Sequence, residues 1–254
     1  IHTDVLRGFI TKKVNTKNDF FNFHKEKLES LCSDSNLFFP AFNYDFCNTG
    51  IFNVRRDPIQ IGMLNEHLRN STYSYRSSTP VFSFISKKPF SLKHNLKDLI
   101  EIDPFDTNSF FGQAYRSDFG LIHYGSKINS TTLIHFAERT SGNIVYRYDK
   151  FFNGVVVNGN NQIEVTLKYH VRPLDLDLKY DWDKIKSDLI SNNLYFEHNK
   201  GKTLISFIQV RKVIDFWLYK LSKNSLYFLD TDSLINVEKI LQKNGEAFKI
   251  EDFE

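Results

Sequence analysis

The sequence predicts an α/β protein built in layers, and three observations carry that expectation. Segments of strand character and helix character alternate along the chain. The tetrapeptide NGNN at residues 158–161 separates two runs of strand pattern, which is a hairpin signal. A hydrophobic content of 41% beside 25% charged residues is that of a globular chain, and 254 residues bury a core without metals or disulfides. One domain over residues 1–254 is the simplest reading, because no internal repeat, low-complexity tract or linker divides the chain.

The elements follow in order. Ile1 to Thr3 reads as the end of a strand. Asn18 to Cys32 places Phe20, Phe21, Phe23, Leu28 and Leu31 at helical spacing, with Asn18 as the expected cap. Leu37 to Phe42 reads as a buried strand broken by Pro40, Gly62 to Arg69 as a short helix, and Val81 to Ser86 as a strand. Phe119 to Tyr124 reads as a central strand that feeds through Gly125 into a polar turn and then a helix at Leu133. Ile144 to Tyr148 and Val155 to Val157 lead into the hairpin, and Gln162 to Tyr169 returns from it. Amphipathic helices are expected near Asp183 to Asn192 and Val210 to Leu221, with a strand from Thr203 to Ile208 between them. A short strand, Ser225 to Leu229, and a helix after Asp232 complete the pattern.

Composition narrows the function classes. Cys32 and Cys47 stand apart with no CxxC and no clustered histidines, which supports neither a metal site nor a disulfide framework and fits a reducing cytoplasm. The longest apolar runs, 37–42 and 204–210, fall far short of the ~20 residues of a membrane span. A net charge of +3 is too small and too evenly spread for a nucleic-acid face, yet it suits an anionic ligand better than a polycation. The chain begins at Ile1 without a methionine or a leader-like stretch, so the natural start is expected upstream. The sequences of phosphate loops, dinucleotide folds, zinc proteases and serine hydrolases are missing: there is no GxxxxGK[ST], GxGxxG, HExxH or GxSxG.

The candidate chemistry centres on NSTTLIHFAE, residues 129–138. His135 and Glu138 are three apart and share one face of a helix, as either a satisfied polar pair or a working acid–base pair. Gly125 and residues 129–132 precede them with hydroxyls and backbone N–H groups able to face an anion or a developing oxyanion. In YRSSTPVFSF, residues 75–84, Arg76 is either an anion grip or a solvated turn residue. His2, Thr3 and Asp4 leave a strand end, Asp57 lies in a charged turn, and His170 ends the hairpin strand within reach of a cleft.

Taken together and in this order, these segments resemble the aminoglycoside 3-N-acetyltransferase, or antibiotic N-acetyltransferase, family. The opening His2-Thr3-Asp4-Val5 is similar to its His-Ser-Ser-Leu, and NLFFPAF keeps Pro40 and Phe42 of its strand motif with Ala41 in place of threonine. Pro58, Gly62, Glu66 and Arg69 match a Pro-x-x-x-Gly-x-x-x-Glu-x-x-Arg segment. YRSSTPVFSF resembles Arg-Ser-x-His-Pro-x-x-Ser-Phe with Thr79 for the histidine. Gly125, Thr132, His135, Ala137 and Glu138 align without a gap to Gly-x-Gly-x-x-x-Asn-Thr-x-Leu-His-x-Ala-Glu, with Lys127, Thr131 and Ile134 departing from it. Residues 201–221 resemble the closing turn and helix.

The resemblance implies a layered α/β/α fold with a mixed central sheet and a hairpin insertion. It implies direct acyl transfer from a coenzyme A thioester to a sugar amine, with His135 as general base and Glu138 fixing its tautomer. It places His2, Thr3, Asp4, Arg76, Ser77 and Thr132 along the coenzyme, and Asp57, Thr79 and His170 near the acceptor. The departures fall on the acceptor side, so the expected acceptor is a nucleotide-linked (dTDP-type) amino-deoxysugar of the kind used for bacterial surface polysaccharides such as O-antigen. The alternatives are an aminoglycoside 3-N-acetyltransferase proper and a non-catalytic binder of coenzyme A or sugar nucleotides. No metal, nucleic acid or membrane enters this reading, and either a monomer or a homodimer is compatible with it.

Overall fold

A computed structural model describes residues 1–8, 13–90, 101–201 and 203–253. Lys202, within the late family-like segment, lies outside the described residues. In chain order the elements are β1 (His2–Thr3), α1 (Lys17–Leu31), β2 (Phe38–Pro40), α2 (Phe46–Thr49), β3 (Ile51–Asn53), α3 (Met63–Arg69), β4 (Tyr75–Arg76) and β5 (Phe84–Ser86). Next come β6 (Glu101–Ile102), α4 (Phe110–Arg116), β7 (Gly120–Tyr124), α5 (Leu133–Ser141), β8 (Tyr148–Asn158) and β9 (Asn161–Val171). The chain closes with α6 (Trp182–Ser191), β10 (Phe196–Lys200), β11 (Thr203–Gln209), α7 (Val210–Lys223) and α8 (Thr231–Asn244).

The α/β class holds, and among the described residues the strands are shared among three sheets: β1-β7-β11-β10, β2-β5-β4 and β3-β8-β9-β6. The first and third mix parallel and antiparallel pairs, since β1 runs parallel to β7 and β3 parallel to β8, while β11 opposes β7 and β9 opposes β8. The expected hairpin is present, with all of β8 paired to β9 and Gly159 supplying a left-handed turn at φ 64°.

Four local expectations change. Thr16 caps α1, not Asn18: its hydroxyl accepts from Asp19 N while the Asp19 carboxylate accepts from Thr16 N, a capping box that starts the helix two residues early. Residues 144–147 are irregular, and β8 begins only at Tyr148. Residues 225–229 form turns, with a single bridge from Leu229 to Tyr180 in place of a strand. The helix expected after Asp232 starts at Thr231, because the Asp230 carboxylate accepts from Ser233 N.

The aromatic richness is used in packing. A main core runs through Phe42, Phe52, Phe84, Phe136 and Trp217, and a second cluster under α1 and α3 gathers Phe21, Leu28, Phe39, Leu64 and Tyr73. Phe84 and Phe110 stack with ring centroids 3.7 Å apart, joining the second sheet to α4. Helix α5 buries Leu133, Ile134, Phe136 and Ala137, which pins its remaining face toward the site.

Candidate active site

Strands β1 and β7 are parallel neighbours in register, His2 against His123 and Thr3 against Tyr124, so their carboxyl ends open at one place. Ligands of open α/β sheets bind outside such ends. Asp4 N donates to Tyr124 O (2.8 Å) and Gly125 N to Leu204 O (2.8 Å), carrying the ladder to the rim. Gly125 then turns with φ 72°, and a Cβ there would lie 2.3 Å from Asp4 O, so only glycine lets the two chain ends pass this closely. The chain makes a short 3-10 turn, Ile128–Ser130, and enters α5 at Leu133.

His135 lies one turn into α5, at the edge of a cleft of about 1070 Å³ that is also lined by Thr132, Arg147, Lys150, Arg172 and Tyr180. Its Nδ1 is 2.9 Å from Glu138 Oε2. Glu138 is 1% exposed while the His135 side chain keeps 26%, so the carboxylate is the buried partner and the ring the accessible one. A carboxylate at this distance obliges Nδ1 to carry the proton, leaving the Nε2 lone pair free to act as a base.

Three further side chains close on the pair. Arg147 Nε lies 2.9 Å from Glu138 Oε2. Tyr146 and Tyr180 donate their hydroxyls to Glu138 Oε1 at 2.8 and 2.6 Å. Burial on its own would raise the Glu138 carboxyl, but Arg147, His135 and Tyr180 hold it well below the carboxylate range. Burial and the Arg147 charge push the His135 imidazole down, against Glu138, so the ring is neutral at neutral pH. One turn after His135 on α5, Arg139 donates to Asp103 (2.6 Å) and Asp149 (2.8 Å), mooring the helix to β8 and to the segment after β6. The Phe105 ring edge meets His135 at 5.3 Å between centroids.

The other expected residues fall in several places. Thr132 lines the same cleft as His135. Thr3 and Asp4 line a second cleft of about 530 Å³, with Arg7 and Lys127, and the two clefts share Asn129 and Ser130 as a common wall. His2 is buried with its ring 5.8 Å from that of His123, and it lines neither cleft. Arg76 is committed elsewhere: it donates to Ser83 Oγ (2.9 Å), Asp57 O (2.6 Å) and Ala41 O (2.6 Å) and lies over the Phe52 ring. Ser77 Oγ accepts from Phe84 N at 2.9 Å, and Asp57 Oδ2 accepts from Asn53 N at 2.8 Å, so both hold local backbone. Thr79 sits half-buried two residues before Val81, whose φ of 63° is costly for a β-branched residue and is held by Asn43 N donating to Val81 O. His170 stands behind the site against Arg139, 3.1 Å from Nδ1, and burial with the Arg147 charge pushes it down to about 4.

Sequence reasoning did not find Tyr146, Arg147 or Tyr180. A strand across residues 144–148 would send Tyr146 and Arg147 to opposite faces, and only the irregular backbone there lets both reach one carboxylate. Tyr180 arrives from a segment 42 positions after Glu138, held by its bridge to Leu229, and nothing local in the sequence marks it.

Comparison with known proteins defines the class first. The fold is that of aminoglycoside acetyltransferases: the AAC(3)-IVa apoenzyme matches at TM-score 0.61 and 16% identity over 86% of this chain and 80% of that one. AAC(3)-Xa matches at TM-score 0.65 and 14% identity over 87% and 85%. AAC-IIIb, solved as a binary complex with CoASH, matches at TM-score 0.59 and 15% identity over 74% and 77%. The family model of aminoglycoside 3-N-acetyltransferase matches residues 31–222, about three-quarters of the chain. The chain therefore belongs to the aminoglycoside 3-N-acetyltransferase family and is an N-acetyltransferase by class. No match is found among curated protein sequences.

Proposed function

We propose that this chain transfers an acetyl group from acetyl-coenzyme A directly to an amine of an amino-sugar acceptor of the aminoglycoside type, with His135 as general base. The observation that carries this reading is the buried carboxylate on Nδ1 of an imidazole at the edge of an open cleft. The thioester supplies the electrophilic carbonyl and a thiolate leaving group. The amine gives its proton to His135 Nε2, the nitrogen bonds to the carbonyl carbon, the C–S bond breaks, and the proton is returned to the thiolate. Glu138 compensates the imidazolium in between.

The chain's own residues fit the coenzyme. The cleft containing Thr3, Asp4, Arg7 and Lys127 joins the His135 cleft at Asn129 and Ser130, and it shares Gly62 and Met63 with a third cleft that adds Lys17 and His67. This makes one groove leading away from His135, with cations along it for phosphates. Arg76 and Ser77 are absent from the linings of these clefts. Cys32 and Cys47 are both free thiols, in keeping with a cytoplasmic setting where acetyl-coenzyme A is made. Among the described residues no helix is long and apolar enough to cross a membrane.

A second acceptor reading is favoured by charge. The His135 cleft carries Arg147, Lys150, Arg172 and Lys179 against Asp177 and Asp230. Asp177 pairs with Lys179 at 2.7 Å, Asp230 caps α8 and Arg147 is paired with Glu138, so the lining keeps a modest positive balance. A nucleotide-linked amino-deoxysugar would meet that lining better.

Thiol release from acetyl-coenzyme A with sisomicin and with a dTDP-linked amino-deoxysugar separates the two. Turnover of sisomicin alone supports the first, and turnover of the nucleotide sugar alone supports the second. His135→Ala should lower the rate by roughly two orders of magnitude or more with acetyl-coenzyme A binding retained. A variant within about tenfold of the parent would remove the base from the scheme.

A further inference from the structure

The histidine–glutamate pair sits in a network whose arginine and tyrosine proton directions are determined. Arginine nitrogens only donate, so Arg147 Nη2 donates to the Tyr180 oxygen (2.5 Å) and Nη1 to the His170 carbonyl (2.9 Å). The single Tyr180 proton then goes to Glu138 Oε1 at 2.6 Å. Arg147 Nη2 is also 3.2 Å from His135 Nδ1, and the Tyr180 oxygen is 3.4 Å from it. Around Nδ1 there is thus one anionic acceptor, Glu138, and one fixed cation placed to oppose a second positive charge on the ring.

We propose that Arg147, locked in place by Tyr180, is a positioning residue for the transfer reaction: it holds Glu138 so that His135 keeps its Nδ1–H tautomer and stays unprotonated at Nε2 until the amine delivers its proton. This inference rests on the acyl-transfer reading above. Glu138 alone would stabilise the imidazolium and fill the base before the substrate arrives. Arg147 cancels that attraction in the resting site while keeping the carboxylate ionised, so the base is both oriented and vacant. The charged and titratable groups facing the ring are Glu138 on α5, Arg147 from residues 142–147, Tyr180 ahead of α6, and Arg172 after β9, which adds further positive charge.

The deciding experiment is 15N NMR of histidine-labelled protein titrated with acid, which reads tautomer and titration midpoint without any substrate. The parent should show His135 as the Nδ1–H tautomer at neutral pH. Arg147→Met should move its midpoint to higher pH, Arg147→Lys should restore most of the shift, and Tyr180→Phe should produce a mixture of tautomers. Because Arg147→Met leaves Glu138 buried without its cation, Glu138→Gln is compared with the double variant Glu138→Gln/Arg147→Met. The midpoint should again be higher without the arginine. An unchanged midpoint in both pairs, or the same tautomer and midpoint in every variant, overturns the proposal. On whichever of the two acceptors is turned over, Arg147→Met should lower kcat at pH 6 at least tenfold more than at pH 8, with the KM for acetyl-coenzyme A within about threefold. Absence of thiol release with every acceptor would overturn the acyl-transfer reading, and retained transfer by His135→Ala would remove only its base; both leave the NMR result standing, so the failures are distinguishable.

Discussion

Two arginines, Arg76 and Arg147, are drawn into the protein and end in opposite uses. Arg76 gives its donors to two backbone carbonyls and a serine hydroxyl, and burial, with Arg69 nearby, brings it down to about 10. It remains charged but meets no carboxylate in these bonds, and it ties the chain at residues 41, 57 and 83 together. For Arg147, burial pulls the same way, but Glu138, Tyr180 and Tyr146 together outweigh it and push the guanidinium up. A buried arginine bonded to carbonyls is a structural cross-link. One bonded to a carboxylate beside a cleft sets the electrostatics of a site.

The comparison is broken most severely by Arg76→Met. It leaves the Asp57 carbonyl without this donor and Ala41 O and Ser83 Oγ with only each other, and the expected cost is about 2 kcal/mol or more of unfolding free energy by chemical denaturation. The folded protein should bind coenzyme A as the parent does. A stable Arg76→Met with weakened coenzyme binding would return this residue to the site.

Acid gives a smaller and graded test. His170 and His123 are held neutral in the folded protein down to about 4 and about 3, chiefly by burial, whereas in the unfolded chain they take up protons near the ordinary imidazole value of about 6.5. Between those limits the unfolded state binds more protons, so stability is full above about pH 7 and falls as pH drops from about 6.5 toward 3. His170 leans on Arg139 and lends its carbonyl to Arg147, so loss of structure should begin on that side. The Arg76 cluster is built on carbonyls that do not titrate. Hydrogen exchange at stepped pH should show amides near β9 opening before those of β2 and β5, and the reverse order would contradict the assignment.

The least effect is expected from Asp4→Asn. Its ion pair with Arg7 at 3.3 Å is between solvent-exposed side chains, worth within about 0.5 kcal/mol. A thermal midpoint unchanged within error is the expected result, and a large fall would mean that Asp4 orders the β1 end beyond this contact.

Much of the local structure was legible in the residues. Helical spacing placed α1, α6 and α7 to within a few positions, and the NGNN turn placed the hairpin, because these depend on neighbours three, four or two positions away. Single-turn elements such as α2, and strands as short as β3 and β6, gave no periodic signal to read. The division into three sheets was hidden too, since strand pairing depends on contacts distant along the chain.

The candidate site divides along the same line. From the residues alone, His135 and Glu138 belong on one face of a helix, because they are three positions apart; that they meet at 2.9 Å is seen in the fold. Gly125 is legible in the same way, where a turn without a Cβ is required. Long-range packing alone brings Arg147, Tyr146 and Tyr180 to that carboxylate, sets Thr3 and Asp4 along an adjoining cleft, and turns Arg76 inward to carbonyls. The reason is physical: a helix repeat is a local geometry, whereas what a buried charge is bonded to depends on which distant segments the core packs against it.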